Sequence, residues 1–354
     1  MTMNEKIGRL KDSPIYAMSL GSKELFHSNF WAWLMKKNPG FIGVFFDERI
    51  NNPEVKREEE NRDLTIWENR GDKKAEKAYV IENKIKAIPT REQMVKYQES
   101  LKEKFVKGIL TGLRKPMEGI LPDGWTFLSY RTIAKRLRER TSLLDDLSCA
   151  ILEEYCDIIE TIDSIFTELI TEKCAGDFLY SNSTTKDQED NIIGDLKEVH
   201  LDDIYKKILA SEFLTYWRTH SSYQDKAESE QNYTRDTALM DFKLKCGEQK
   251  IGVQIQGSQF KLLAESELPC SAEDLFNKYK SKGWFVEKKD KEIFLLGEER
   301  NTSMTPKNEF CHYEGKTTFV YQYFNIEGIR FEEMRALVDR ALGQASRLIE
   351  TYRQ

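Results

Sequence analysis

The spacing of apolar residues predicts alternating helices and strands over the first 140 residues. A helix is expected at 23–37, where apolar residues recur every three or four positions until Asn38-Pro39-Gly40 ends it. The segments 62–69 and 76–87 are rich in β-branched and aromatic residues and flank a turn with glycine and aspartate, so they predict a hairpin. The elements expected next are a helix at 91–107, a loop at 108–124, a buried strand at 125–130, a basic helix at 132–140 and one long helix or two at 143–172.

The pattern changes near residue 180. Residues 181–192 are polar and lack periodicity, which predicts a linker. An amphipathic helix is expected from 331 to the end of the chain. The segments expected as strands of an antiparallel sheet are 240–246, 250–256, 284–288, 292–296 and 317–324. We therefore expect a domain at 1–180 with a long helical extension, a linker at 181–192, and an α+β domain at 193–354 that serves substrate selection, dimerisation or partner contact.

Composition excludes several classes of protein. The chain has 354 residues, of which 40% are hydrophobic and 11% aromatic, so it can bury a core and is not disordered. No apolar run approaches the roughly 18–20 residues that a membrane helix needs, and the N-terminus lacks the apolar core of a signal peptide. The six cysteines are scattered without metal-ligand spacing. We expect a cytoplasmic protein with reduced thiols, no membrane partner and no structural zinc.

Charge is distributed unevenly along the chain. The net charge is −6, yet residues 91–140 hold 12 Lys or Arg against 6 Asp or Glu. Residues 141–203 hold 3 Lys against 17 Asp or Glu. The basic stretch could bind phosphate while the acidic stretch repels it, or both could simply be solvated helix faces.

Candidate chemistry lies in the predicted hairpin. The hairpin is centred near position 72.5, so two residues lie opposite each other when their numbers sum to about 145. Asp63 and Glu82 meet this condition. Glu82 and Lys84 are two positions apart and share one face of the strand. Two carboxylates and a lysine can bind a divalent cation through oxygen and position a water beside it. The alternative is an exposed hairpin face stabilised by salt bridges.

The hairpin and its neighbouring helices resemble the PD-(D/E)xK nuclease superfamily. That pattern has an acid on an N-terminal helix, an Asp on one strand, D/E-x-K on the next strand and then a helix, which carries Q-x-x-x-Y in one branch. The resemblance covers about residues 20–135, and Arg62 replaces the proline of the pattern. The matching residues are Glu24, Asp63, Glu82-Asn83-Lys84, Gln93 and Tyr97.

The resemblance implies a restriction-endonuclease-like fold, with a mixed α/β sheet flanked by helices. It implies that Asp63 and Glu82 ligate Mg²⁺ or Mn²⁺ with the main-chain carbonyl of Asn83. Glu24 would complete the metal shell, directly or through water. Lys84 would orient or deprotonate the attacking water and offset charge in the transition state.

Nucleic-acid contacts are also implied. Gln93 and Tyr97 would contact the scissile phosphate or adjacent nucleotides, although Gln93 also suits a capping box with Thr90 and Tyr97 could be a core-edge aromatic. His27, one turn after Glu24, is either a reserve ligand or a structural residue. The basic residues that could hold flanking phosphates are Arg131, Lys135, Arg136, Arg138 and Arg140.

The resulting expectation is a metal-dependent nuclease that hydrolyses DNA phosphodiester bonds, with genome defence or DNA processing implied by the resemblance alone. The alternative is a catalytically inactive relative that binds nucleic acid or a protein partner. Intact Asp, Glu and Lys positions favour the enzyme, because a binding module has no need to crowd two carboxylates near a phosphate.

Overall fold

The computed structural model separates the chain into two compact units. The first comprises Met1–Leu169 with Asp190–Tyr205, and the second comprises Ile170–Glu189 with Lys206–Gln354. The residues that the structure describes are 1–19, 23–70, 73–85, 90–116, 119–174, 177–178, 192–234, 237–257, 259–285, 310–325 and 329–353. Apart from Ile192, the predicted linker lies outside the described residues, so the domain boundaries at 180 and 193 stay predictions.

A five-stranded sheet forms the centre of the first unit, in the order β1-β2-β3-β4-β5. Its strands are β1 (Pro53–Glu59), β2 (Arg62–Arg70), β3 (Lys73–Lys84), β4 (Phe105–Gly112) and β5 (Trp125–Ser129). The helices of this unit are α1 (Met3–Asp12), α2 (Pro14–Ser19), α3 (Lys23–Lys37), α4 (Arg91–Leu101), α5 (Tyr130–Arg138), α6 (Asp146–Cys174), whose last residues from Ile170 belong to the second unit, and α7 (Ile192–Glu198). Short 3₁₀ turns occupy Pro39–Val44, Lys102–Lys104 and Thr141–Leu143.

The hairpin of β2 and β3 has the predicted register. Leu64 pairs with Ile81 and Glu68 with Lys77, and both pairs sum to 145. β1 and β2 are antiparallel, whereas β3, β4 and β5 run parallel, so the sheet is mixed. A mixed sheet with helices on both faces is the restriction-endonuclease-like core that the sequence predicts.

The strand β4 corrects the sequence prediction, which continued a helix to 107 and placed a loop at 108–124. Helix α4 ends at Leu101 and the chain enters the sheet at Phe105. Gly108 lies under the indole of Trp125, where a Cβ would meet the ring at 2.3 Å. The glycine is therefore a packing requirement of β4 and not the sign of a loop.

The two faces of the sheet carry different helices. Val80 and Leu110 pack with Met94 and Tyr97 of α4 in one apolar cluster. On the opposite face, Asn83 hydrogen-bonds to residues of α3 and α5. Strand residues of even number in β3, which include Glu82 and Lys84, therefore face α4.

Helix α6 is one continuous element, which resolves the choice between one helix and two. Its acidic residues pair with the basic helix α5. The guanidinium of Arg138 lies 2.9 Å from Glu153, 2.5 Å from Asp157 and 2.6 Å from Glu160. The neighbouring basic and acidic stretches of the sequence thus partly neutralise each other within the first unit.

The second unit contains a six-stranded antiparallel sheet, in the order β11-β12-β10-β9-β8-β7. Its strands are β7 (Glu228–Thr234), β8 (Thr237–Cys246), β9 (Gln249–Gln256), β10 (Gln259–Ser266), β11 (Cys311–Glu314) and β12 (Thr318–Asn325). Its helices are α8 (Asp202–His220), which begins in the first unit, α9 (Ala272–Lys280) and α10 (Phe331–Arg353), and β6 (Asp177–Phe178) pairs with β13 (Ile329–Arg330). The predicted α+β architecture of this region is confirmed.

Three of the five strands predicted in the second unit occur, and the structure adds β7, β10 and β11. Of the predicted strand at 284–288, Trp284 and Phe285 form a bend, and the remaining residues lie outside the described part, as does all of 292–296. Among the described helices, none combines the length and apolarity needed to cross a membrane. Cys149, Cys156, Cys246, Cys270 and Cys311 are free thiols, of which Cys156 is buried.

Candidate active site

The hairpin register brings Asp63 and Glu82 together. Asp63 is the second residue of β2, and its Oδ2 accepts a 2.7 Å hydrogen bond from the main-chain N–H of Asn83. This contact holds one carboxylate beside the strand that carries the other. Arg62, at the position of the missing proline, is buried and bonds to Thr65 at 3.1 Å, which anchors the start of the strand.

The two carboxylate oxygens of Glu82 differ, since one accepts hydrogen bonds and the other accepts none. Its Oε1 accepts hydrogen bonds from Lys84 Nζ and from Gln93 Nε2, each at 2.7 Å. Its Oε2 is buried and has no hydrogen-bond partner. Because a buried carboxylate oxygen is costly to leave unpaired, this atom is suited to a cation that would ligate it.

The electrostatics of the carboxylates also favour a cation. Burial and the neighbouring charge of Glu82 raise the pKa of Asp63 from 3.8 to about 7. Burial likewise raises the pKa of Glu82, although Lys84 opposes the change. Two buried carboxylates that resist ionising together are stabilised when a divalent cation supplies the missing positive charge.

Lys84 remains an ammonium in this setting. Burial alone would lower its pKa, but the charges of Glu82, Glu24 and Asp63 together raise it. The strand therefore delivers a fixed positive charge next to the two carboxylates. This supports charge stabilisation by Lys84 more than proton abstraction.

Glu24 lies near enough to act on this group of charges. It is half-buried near the start of α3, and its charge contributes to raising the pKa of both Asp63 and Lys84. Within the described residues, no three His, Cys, Asp or Glu side chains are already gathered as a metal site. A metal here would rest on Asp63 and Glu82, with its other ligands from backbone, water or substrate oxygens, as Mg²⁺ commonly does.

Gln93 and Tyr97 are turned toward Glu82. Gln93 Nε2 lies 2.7 Å from Glu82 Oε1 and 2.6 Å from the Tyr97 hydroxyl, which donates to the main-chain oxygen of Asn61 at 2.7 Å. The hydroxyl of Thr90 caps the helix by accepting from the Gln93 N–H at 3.3 Å. The side-chain amide of Gln93 is therefore occupied by its hydrogen bond to the Glu82 carboxylate. Tyr97, which contacts Gln93, is itself buried in the apolar cluster that packs against β3.

Asn83 has a role that the sequence prediction missed, since only its main-chain oxygen was considered. Its side chain is fully buried and bonds to the main-chain oxygen of Glu24 at 2.8 Å and to Thr111 at 3.1 Å. The hydroxyl of Tyr130 also donates to its Oδ1. An asparagine inside an apolar strand is the signal that could have revealed this, because a buried amide needs partners for its donors and acceptor.

His27 belongs to the core behind the sheet. Its Nδ1 lies 2.8 Å from the Tyr155 hydroxyl, and its ring packs against those of Trp31 and Tyr130. Burial among these aromatic groups agrees with the structural alternative for His27.

The predicted phosphate-binding residues of α5 differ in their surroundings. Arg131 is 62% exposed at the start of the helix, but its guanidinium pairs with Asp163 at 2.8 Å. Lys135 is exposed. Arg136 donates to the main-chain oxygen of Val44 at 2.8 Å. Arg131 follows the end of β5, which lies beside the ends of β3 and β4 in the sheet, whereas Arg136 lies more than one helical turn further on.

Arg138 and Arg140 are committed to internal contacts. Arg138 is held by α6, and Arg140 donates to the main-chain oxygens of Gly43 at 2.9 Å and Arg136 at 2.8 Å. Both guanidinium groups therefore act within the fold.

A cavity of about 600 Å³ lies elsewhere in the first unit. It is lined by residues 39–40, 42–43 and 46–53 and contains none of the predicted site residues.

The sheet of the first unit and the helices around it are similar to a known family of proteins. Residues 44–182 match the family model of the PD-(D/E)XK nuclease superfamily, a range that contains β1–β5, α4, α5 and α6. No curated protein and no solved structure matches the chain.

Proposed function

We propose that the PD-(D/E)XK nuclease core at residues 44–182 makes this protein a divalent-metal-dependent nuclease that hydrolyses DNA, with Asp63, Glu82 and Lys84 as its catalytic residues. The observation that carries the proposal is the buried, unpartnered Oε2 of Glu82 beside a second carboxylate of raised pKa. A structural salt bridge would have no reason to leave that oxygen unpaired.

Mg²⁺ or Mn²⁺ suits this donor set, since both prefer oxygen ligands. Asp63 and Glu82 would hold the ion with the main-chain oxygen of Asn83, and Glu24 would complete the shell directly or through water. When bound, such an ion activates water and withdraws charge from a phosphate.

The residues of the chain would supply the remaining parts of the reaction. Water adds to phosphorus and gives up a proton to solvent, while the bond to the leaving deoxyribose oxygen breaks and that oxygen takes up a proton. Negative charge grows on the phosphoryl oxygens during this step. Lys84 places an ammonium 2.7 Å from Glu82, where it can stabilise that charge and orient the water. Gln93 fixes the rotamer of Glu82, and Tyr97 fixes Gln93. These two are positioning residues of the proposed site.

Nucleic acid would approach over the edge where β3–β5 end, past Arg131 and Lys135 on α5. Arg136 is less available because it binds the Val44 carbonyl. The second unit would contribute substrate selection, dimerisation or partner contact, and DNA is favoured as the substrate. Genome defence or DNA processing is the corresponding biological role.

The test is cleavage of supercoiled, linear duplex and single-stranded DNA, and of RNA, with Mg²⁺ or Mn²⁺. Glu82→Ala and Lys84→Ala should each abolish cleavage, while Glu99→Gln, which changes an exposed carboxylate of α4, should retain it. Activity that persists in both active-site variants would refute the residue assignment. Binding without cleavage would favour the inactive-module alternative, and cleavage of RNA alone would overturn the choice of DNA.

A further inference from the structure

Arg62 is a buried cation that lies directly before Asp63. Only 1% of its surface is exposed, and all three nitrogens of its guanidinium donate hydrogen bonds. The acceptors are Thr65 at 3.1 Å from Nε, Glu60 at 2.8 Å and Ser100 at 3.0 Å from Nη1, and Glu59 at 3.4 Å from Nη2. One side chain therefore joins the end of β1, the start of β2 and helix α4.

The stability of the fold does not by itself account for this buried ion pair. Removal of a guanidinium from water costs about as much as its carboxylate partners return, and apolar side chains of similar volume often stabilise a fold equally well. Glu60 is 66% exposed and Glu59 is 26% exposed, so both carboxylates are within reach of solvent. The contacts of Arg62 thus fix a geometry more than they supply free energy of folding.

The turn before Arg62 has an uncommon backbone conformation. It consists of Glu60 and Asn61, whose φ angles are 51° and 64°, and it connects the paired residues Glu59 and Arg62. Glycine and asparagine adopt such angles readily, whereas a glutamate adopts them at a cost. Such a conformation persists where the surrounding contacts impose it, and it is often found next to functional residues.

Helix α4 holds this turn at two consecutive residues. The Tyr97 hydroxyl donates to the main-chain oxygen of Asn61 at 2.7 Å. Three residues further along the helix, the Ser100 hydroxyl accepts from Arg62 and donates to the main-chain oxygen of Tyr97 at 2.9 Å. The turn is thereby attached to α4 immediately before the carboxylate of Asp63.

The same helix positions the second carboxylate of the candidate active site. Gln93 donates to Glu82 at 2.7 Å and contacts the Tyr97 hydroxyl at 2.6 Å. Asp63 accepts from the main-chain N–H of Asn83 at 2.7 Å, so its oxygen is held beside Glu82. Because Mg²⁺ requires nearly ideal ligand geometry, a displacement at the start of β2 would lower the affinity for the ion.

We propose that Arg62 is a positioning residue of the candidate active site, which fixes the carboxylate of Asp63 for metal binding by attaching the preceding turn to α4. A proline at this position, as in the family pattern, restricts the backbone through its ring, whereas Arg62 restricts it through four side-chain partners. This role rests on the proposed function, because the metal ion is the one proposed there. The guanidinium is occupied within the fold, so Arg62 acts through geometry and not by contact with the substrate.

Metal affinity can be measured separately from cleavage. Mn²⁺ is titrated by calorimetry into wild type, Arg62→Met and Ser100→Ala, without nucleic acid. Arg62→Met keeps an apolar stem but makes none of the hydrogen bonds, and it should weaken Mn²⁺ binding roughly 10- to 100-fold. Ser100→Ala removes one hydroxyl from an exposed residue and should weaken binding roughly 3- to 10-fold. In cleavage assays, kcat should fall in both variants while KM for DNA stays unchanged.

Two controls separate positioning from a general loss of stability. Ser281, an exposed serine that follows α9, also donates to a carbonyl three residues earlier, that of Lys278, at 3.0 Å, so Ser281→Ala should leave Mn²⁺ affinity unchanged. Arg138→Met removes a guanidinium that pairs with acids of α6, so it should lower the thermal midpoint without changing Mn²⁺ affinity. Arg62→Lys keeps the charge but lacks the fork, so it should recover only part of the affinity.

Three results would overturn this role of Arg62. The first is wild-type Mn²⁺ affinity in both Arg62→Met and Ser100→Ala. The second is full affinity in Arg62→Lys, because the charge alone would then suffice. The third is an equal loss of Mn²⁺ affinity in Arg138→Met, because any destabilised variant would then behave alike. If Arg62→Met does not fold, Ser100→Ala decides: reduced affinity supports the role, and wild-type affinity refutes it.

The outcomes also distinguish this role from the proposed function. If wild type cleaves DNA and both variants bind Mn²⁺ and cleave as wild type does, the role of Arg62 is refuted and the nuclease stands. If wild type binds Mn²⁺ in a manner abolished by Asp63→Ala but cleaves nothing, and Arg62→Met weakens that binding, the role of Arg62 stands and the nuclease proposal fails. If wild type binds no Mn²⁺ and cleaves nothing, both fail.

Discussion

Asn83 ties the strand of the candidate active site to the helix of Glu24: its Nδ2 donates a 2.8 Å hydrogen bond to the main-chain oxygen of Glu24. Asn83 stands between Glu82 and Lys84 in sequence, so its side chain points to the opposite face of the sheet. Strand β3 therefore presents the carboxylate of Glu82 and the ammonium of Lys84 on one face. From its other face, the side chain of Asn83 holds the main chain of Glu24 in place. Asn83, a neutral residue, thus contacts both Asp63, through its main-chain N–H, and Glu24, through its side-chain amide.

Replacement of Asn83 should damage both stability and activity. Asn83→Ala would leave the Glu24 carbonyl and the hydroxyls of Thr111 and Tyr130 without their partner in the core. We expect a loss of about 2–4 kcal/mol in the free energy of unfolding, with reduced cleavage. Urea denaturation of wild type and variant would measure it. Gln98→Ala, which removes an exposed hydrogen bond to Asp123, is the control and should cost little.

The metal-free site should be a source of instability at neutral pH. Because folding raises the pKa of Asp63 from 3.8 to about 7, the folded state holds its proton more tightly than the unfolded state. The penalty is thus fully present above pH 7 and disappears as pH falls toward 4. Asp63→Asn should raise stability by about 1–3 kcal/mol at pH 8 in EDTA.

Thermal melting in EDTA at pH 8 and at pH 4 would test this. The increase in thermal midpoint caused by Asp63→Asn should be large at pH 8 and small at pH 4. Asp123→Asn, at an exposed aspartate, should change neither melt. An equal effect at both pH values would mean that Asp63 does not carry a raised pKa.

Gln93 should affect metal affinity more than nucleic-acid affinity. Its amide donates to Glu82 at 2.7 Å, so Gln93→Ala frees the carboxylate to rotate. Loss of such a supporting contact commonly weakens metal binding by about 10- to 100-fold. Calorimetry with Mn²⁺ should show this loss, while DNA binding in EDTA stays unchanged. The reverse result would restore the sequence-based interpretation of Gln93 as a phosphate contact.

Arg138 should stabilise the fold without binding substrate. It is 29% exposed and pairs with three acids of α6. Arg138→Ala should lower stability by about 1–2 kcal/mol, and high salt should shrink the difference. Thermal midpoints at low and high salt would measure it against Lys135→Ala, whose exposed lysine lies on the same helix. A DNA-binding defect in Arg138→Ala without loss of stability would contradict this role.

Local periodicity was sufficient to predict the pairing of the two strands of the hairpin. A period of two and a short turn determine which residues of β2 and β3 face each other, so the pairing of Leu64 with Ile81 follows from residue numbers alone. The same count places Glu82 and Lys84 on one face. The second antiparallel sheet was predictable for the same reason, because strands carry their pattern locally, whereas the mixed sheet of the first unit was implied by the family resemblance and its strand β4 was missed.

The remaining features depend on residues far apart in sequence. Gly108 looked like a loop residue because the ring that demands a glycine belongs to Trp125, on another strand. Arg138 looked like a phosphate ligand because its acidic partners lie on α6. The unpaired oxygen of Glu82 is likewise visible only once the donors around it are in place. Periodicity reports which face a side chain takes, whereas packing and pairing across the fold decide which of its atoms remain free to bind.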